Sequence, residues 1–578
     1  MHNVRRALIV LLLLAAVAFV WLWLTRPEKV EMAAYVPADS IVYFEADSLP
    51  DIFDGVTSTD AWRELARASG VESGQTQSGW LSGLVSFTGL GPSDAVVLSR
   101  AQVAVAVLGF EAAEESDTTL RFSPREALVA ETHTSEWRVR AAVEKLAGDF
   151  ARRSFGAASV ERKEVDGVQL VTWVSQSDAR RKVVTAVYES EALMGNDEGV
   201  VRACLDVRRG TRPSLASNEQ LKEMRARLGG EGALAFGFAP QGSAAKVVEV
   251  FAPAFVSRVS SESKLQSLLA TVLPQLTSQT LGSVGWSARA AGGGIEDRYF
   301  LALPGDMARR LQAPLAPADA REDGVVEVLP KEIYQLTRYD LQNPEEAWRG
   351  LGAALSVQVD VSRAIFITPA LEAVVKPYGI EHPREFLRAC GTQLATAKLD
   401  SESEGKLLIV QAADPDALRE QVLARLGRGA RSERVGRNEL IVATDPEKGA
   451  AAFISPYPVV RTFLVMGSEA DVRRCLDAQQ PGGSLRGSSV FDTWGQNFSD
   501  ARPFARTLTD DREATRSMLA YFARGGARPA QGQVELEKVL SRRGYSASET
   551  RLAEGGFERR TRSAFGLFGE VVKRFSPR

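Results

Sequence analysis

Two hydrophobic rhythms alternate along most of the chain. Short runs rich in Val, Ala and aromatic residues, bounded by Gly and Asp, predict strands at Ser40–Glu45, Gln102–Leu108, Ala127–Ala130, Gln169–Trp173 and Val183–Tyr188. Helical spacing predicts helices at Asp60–Ala68, Ser135–Arg153, Gly199–Val207 and Glu219–Leu228, and later at Asp414–Leu426 and Ala470–Ala478. In the helix from Ser135, the residues Val139, Ala142, Val143, Leu146 and Phe150 form an apolar stripe with a polar back. Asp166-Gly167, between VERKEV and VQLVTWV, predicts a tight hairpin turn. The stretch Ala244–Thr277 reads as two helices broken by Pro253 and Pro274. Strand, helix, hairpin, strand, helix indicates an α+β fold with antiparallel sheets and helices on one face, and ferredoxin-like subunits fit that order.

The pattern also repeats. LMGNDEGVVRACLD (Leu193–Asp206) recurs as VMGSEADVRRCLD (Val465–Asp477), each a strand, a Gly turn, a polar cap and a helix. Asn196 and Ser468 are the expected N-caps. Ala61-Trp62-Arg63 recurs as Ala347-Trp348-Arg349, and AQVAVAVL resembles GTQLATAKL, with Gln102 against Gln393. EALVAETHTSEWRVRAAVEKL matches KLLIVQAADPDALREQVLARL, WSARAAGGGIEDRYF matches SETRLAEGGFERRTR, and GDMARRL matches GEVVKRF. These matches run in one order, which generic strand–helix patterns would not give. They imply a tandem duplication with halves at residues 35–311 and 328–578. Residues 312–327, rich in Pro, Ala and charge, read as a linker.

The first 30 residues stand apart. Ala7–Leu24 is an unbroken apolar run of 18 residues, which as a helix spans about 27 Å, close to the thickness of a bilayer core. Arg5 and Arg6 precede it, and Trp21 and Trp23 lie where such a helix leaves the bilayer. This predicts an uncleaved signal anchor over residues 1–30, crossing the inner membrane through residues 7–24 with a cytoplasmic N-terminus and a periplasmic body. A cleaved signal peptide is the alternative. Its apolar run is shorter and ends at small residues, whereas this one ends in WLWLTRP.

Composition narrows the chemistry. The 578 residues carry 70 basic and 73 acidic side chains, a balance that gives no drive toward nucleic acid. Three Cys and three His, with no HExxH or Cys-x-x-Cys spacing, leave no zinc motif. Cys204, Cys390 and Cys475 read as small buried hydrophobes. Asp414-Pro415-Asp416 fits a helix start better than a carboxylate pair. Ser261/Lys264 and Ser403/Lys406 match SxxK, but neither partner motif of serine–lysine acyl enzymes is present. Gly292–Gly294 and Gly555-Gly556 lie between strand-like runs, so hairpin turns explain them better than phosphate loops. The segment Ser541–Arg578 carries nine basic residues against four acids, with Phe565, Phe568, Val572 and Phe575 among them. Its match to the end of the first half favours a packed hairpin and helix over a membrane-surface segment. No catalytic, cofactor or metal residue is singled out.

The layout of an anchor followed by YVPADSIVYFEADSL, with Val36, Pro37, Ala38, Asp39 and the strand Ile41–Phe44, resembles bacterial membrane-anchored envelope families of domains with unknown function. Leu329-Pro330-Lys331-Glu332 opens the second half similarly but lacks the Asp. The resemblance implies an envelope setting and transfers no site residues. Arg outnumbers Lys 56 to 14, consistent with a GC-rich genome. The reading that follows is a non-catalytic binding or scaffold protein with an envelope protein as partner. A small-molecule or lipid ligand would lie between the halves. The alternatives are an envelope hydrolase with a dispersed active site and a lipid-handling protein with an apolar cleft.

Overall fold

The computed structural model describes residues 29–68, 97, 101–116, 119–229, 232–250, 273–319, 324–359, 364, 367–401, 406–427, 429–456, 461–488, 502–523, 537–542 and 544–575. The apolar run 7–24, His2, Ser261, Lys264 and Ser403 lie outside these. Among the described residues no helix is long and apolar enough to cross a membrane.

Local rules place most elements. Helices start where a side-chain oxygen accepts an otherwise unpaired backbone N–H. Ser48 caps Leu49–Thr57, Asn218 caps Glu219–Leu228, Asn343 caps Pro344–Val357, Asp414 caps Pro415–Leu426 and Ser468 caps Glu469–Asp477. At Glu198–Arg208 the cap is Asp197, not the expected Asn196. Asn196 instead ties two strands, accepting from Glu126 N and donating to Pro124 O. The turn at Asp166-Gly167 has both residues at positive φ, as a tight hairpin requires.

The strands are β1 (Val42–Ala46), β2 (Gln102–Ser116), β3 (Thr119–Glu131), β4 (Ala158–Val165), β5 (Val168–Ser175), β6 (Lys182–Tyr188), β7 (Glu191–Gly195), β8 (Ala233–Ala239), β9 (Val284–Ala291) and β10 (Gly294–Ala302). After them come β11 (Gln335–Asp340), β12 (Cys390–Lys398), β13 (Leu407–Ala412), β14 (Arg431–Val435), β15 (Asn438–Val442), β16 (Ala450–Ile454), β17 (Phe463–Gly467), β18 (Ala505–Asp510), β19 (Tyr545–Ala553) and β20 (Gly556–Ser563). All pair antiparallel in one 20-stranded sheet. The first ten lie in the order β4-β5-β6-β7-β3-β2-β1-β8-β9-β10. The rest repeat that order as β14-β15-β16-β17-β13-β12-β11-β18-β19-β20. The fold is α+β with a large antiparallel sheet. It is not divided into small four-stranded units, and helices cover both faces rather than one.

On the first face of the β1–β10 set, the turn Met32–Tyr35 and the helices Glu198–Arg208 and Glu219–Leu228 close a core around Tyr43, Leu170 and Leu193. In the second set, Gly324–Val328 and Glu469–Asp477 do the same around Leu336, Ile409 and Phe463. Val325 and Val326 are fully buried there, so the stretch 312–327 is not wholly a linker. Its Pro, Ala and charge conceal a short apolar turn. On the opposite face, Glu136–Phe155 packs Ala147 and Ala151 on Trp173, and Pro415–Leu426 packs Leu418 and Val422 on Leu408.

The sets join where β10 pairs β20, from Ile295↔Ser563 to Ala302↔Gly556. Aligning the matched hairpins sets Arg298 against Arg560, and the register places those two directly opposite each other. Equivalent strands therefore meet about a local two-fold axis. The two sets meet through a hydrogen-bonded strand pair. The terminal helices cross over reciprocally. Met307–Gln312 packs against Leu351, Ala354, Leu552 and Phe557. Gly566–Phe575 packs Leu567 and Phe568 near Trp286 and Ile295. The basic C-terminal segment is thus a hairpin and helix within the fold, with Phe565 buried. Asp297 Oδ2 accepts from Leu567 N at 3.0 Å and its Oδ1 accepts from Trp286 Nε1 at 2.9 Å. Burial pushes its carboxyl up to about 6, against the pull of those two bonds.

The two open edges, β4 and β14, read ASVERKEV and RSERV and are mostly exposed. Dense charge on an edge discourages pairing with other chains. At the junction, a Cβ on Gly294 would strike Ser563 O, and one on Gly556 would strike Leu301 O. Gly556→Val is expected to cost about 1–3 kcal/mol through overpacking. Urea denaturation and faster amide exchange across residues 295–302 check this. Unchanged exchange there would show that the junction tolerates a side chain.

Candidate functional site

Side chains alternate along a strand, and residues opposite in register share a face. Register alone therefore fixes what the first face carries between the two cores. Asp340 and Arg338 stand on β11, Arg506 on β18, and Glu549 and Arg551 on β19. Glu558, Arg560 and Arg562 stand on β20, Glu296 and Arg298 on β10, and Arg289 on β9. Seven arginines meet four carboxylates in one band, in a chain of net charge −3.

Glu296 is the centre of the band. Its side chain is fully buried, with Arg289 Nη2 at 2.6 Å, Arg298 Nε at 2.9 Å and, across the junction, Arg562 Nε at 2.9 Å. Burial alone would raise its carboxyl, but the three guanidiniums outweigh it and hold the group near 2. Glu558 repeats the arrangement with Arg551 at 2.6 Å and Arg560 at 2.7 Å. Burial is again overcome, and its carboxyl lies below the ordinary value. Arg298 and Arg560 face each other across the axis, each turned to its own glutamate. Arg338 Nη2 lies 2.6 Å from Asp340 Oδ2, both buried. Burial there pushes the acid up and the guanidinium down. Toward solvent, Arg289 is 42% and Arg562 31% exposed. A half-buried excess of guanidinium favours an anion, and a fixed planar fork suits a carboxylate.

A second ionisable group lies in the first half only. Glu131 on β3 and Glu191 on β7 are directly opposite and buried. Tyr35 donates its hydroxyl to Glu131 Oε2 at 3.4 Å, and His133 N donates to Glu131 Oε1 at 2.8 Å. Arg208 Nε lies 3.1 Å from Glu191 Oε2, and its guanidinium sits over the Tyr35 ring. Burial raises Glu191 to about 8, with Arg208 only partly opposing it.

Other residues noted in the sequence stay apart from both groups. His382 precedes the helix Pro383–Arg388, and Asp414 and Asp416 start a helix. The three cysteines are free and buried, and burial pushes each thiol up to about 12. Among the described residues no group of three His, Cys, Asp or Glu could hold a metal ion. The band was missed in the sequence, although the hairpins repeat it: Arg289, Glu296 and Arg298 stand where Arg551, Glu558 and Arg560 stand. No protein-family model, curated protein or solved structure matches the chain.

Glu296→Gln is expected to destabilise the protein at neutral pH. A carboxyl lowered on folding stabilises above its unfolded value and loses that contribution as pH falls. The difference from wild type should therefore close between pH 4.5 and about 2. Urea denaturation at several pH values tests this, and a gap independent of pH would exclude the charge as its cause.

Proposed function

We propose that the protein is a non-catalytic binding protein of the bacterial envelope, tethered to the inner membrane through residues 7–24 with its body outside. The arginine band holds an acidic segment of an envelope protein. The observation that carries this reading is the cationic excess of the band, set on the two-fold axis of a chain that is otherwise net negative. A tandem duplication accounts for the common strand order of the two sets and for the collinear sequence matches. The apolar length of residues 7–24, the flanking arginines and the exit tryptophans support the tether. The junction favours no lipid: its first face is charged, and its opposite face is filled by Trp286, Ile295 and Phe568.

In cells, the full-length chain carrying a photocrosslinker at Arg289 or at Arg551 is expected to capture an acidic envelope protein. Reversing the neighbouring charges with Arg298→Glu and Arg560→Glu should reduce capture at least about ten-fold, as should high salt. Capture that ignores both changes, or none at all, would overturn the reading.

A further inference from the structure

The two halves form an internal control for the Glu131–Glu191 group. The matched segments and equal registers put Gln411 in the place of Glu131 and Phe463 in the place of Glu191. Val328 stands for Tyr35, Gln479 for Arg208 and Ala413 for His133. Phe463 and Val328 are fully buried. The same fold therefore closes at this point with apolar and neutral side chains. A buried carboxylate pair costs free energy that the second half avoids, so the fold does not require it.

The pair is wired to the chain's entry into the body. His133 Nε2 lies 3.3 Å from Gln102 Oε1. That oxygen accepts from Val30 N at 2.8 Å, and Gln102 Nε2 donates to Val30 O at 2.9 Å. Tyr35, six residues after Lys29, donates to Glu131. Glu131 thus holds the entering segment at Tyr35, and Gln102, which the His133 ring contacts, holds it at Val30. Glu191 faces Glu131, Arg208 and Tyr35, with Glu189 and Tyr188 beside it and the Cys204 thiol below. Only one of these, Arg208, is a fixed cation.

We propose that Glu191, facing Glu131, forms a proton-operated latch, which holds the segment Lys29–Val36 on the first half while Glu191 is protonated and frees it when Glu191 ionises. The sign follows from burial. A carboxyl raised on folding contributes stability at low pH, and that contribution is lost as pH rises from 4.5 to about 8. Above that, the Glu191 charge lies buried opposite Glu131 with Arg208 as the cation beside it. Because the segment follows the proposed tether, its release would lengthen that tether by up to about 25 Å.

Amide exchange of the full-length protein in detergent, corrected for intrinsic rates and followed from pH 4.5 to above pH 8, tests this. Protection of residues 30–36 should fall about ten-fold per pH unit between pH 4.5 and about 8 and level off above that. Residues 326–329, the counterpart in the second half, should keep theirs. Glu191→Gln should remove the pH dependence, and Glu131→Gln gives the same comparison if the first variant folds poorly. Unchanged protection at 30–36, a parallel loss at 326–329, or a transition that survives in both variants would overturn the latch.

Discussion

Backbone pairing between β10 and β20 is the constraint on which the rest of the molecule depends. A strand edge left open is a row of unpaired donors and acceptors, and each set of ten strands would have one at β10 or β20. Each edge satisfies the other. The pairing then fixes register, register fixes which side chains share a face, and the faces decide where the cores stop. Everything distinctive at the centre follows from that line: the ion pair from Glu296 to Arg562, the opposed Arg298 and Arg560, and the terminal helices that cross to the opposite set.

The two faces of the junction resolve burial in different ways. One is sealed by aromatic and aliphatic contact, with Asp297 buried among Trp286, Ile295 and Leu567. The other keeps charge and neutralises it by geometry. Three guanidiniums on one carboxylate is more than that carboxylate needs for its own solvation. Replacing buried ion pairs by apolar residues is often neutral or stabilising. A band of this kind is weak support for stability.

Much of the secondary structure is legible in the sequence because its signals are local. Helix starts such as Asp414-Pro415-Asp416 and turns such as Asp166-Gly167 declare themselves within a few residues. The failures are instructive in the same terms. Asn196 and Asp197 are both good caps, and only the neighbouring strand at Glu126 decides between them. The apolar turn Gly324–Val328 is shorter than a helical period and sits behind Pro- and Ala-rich residues. Strand order, and with it the band, depends on pairing between residues hundreds of positions apart, such as Glu296 and Arg562. Alternating Arg and Glu in one hairpin reads as ordinary solvated surface until β18, β11 and the other hairpin are set beside it.

The two-fold axis at Arg298 and Arg560 has a further consequence. Were the sets identical, every contact across the junction would occur twice, as in an isologous dimer. Covalent linkage lifts that condition. Glu296 faces Arg562, but at the mirrored position Phe300 faces Glu558. Asp297 is buried, whereas its counterpart Arg559 is exposed. A symmetric scaffold has thereby acquired polarity. An elongated ligand laid along it would meet two unlike ends and would be held one way round.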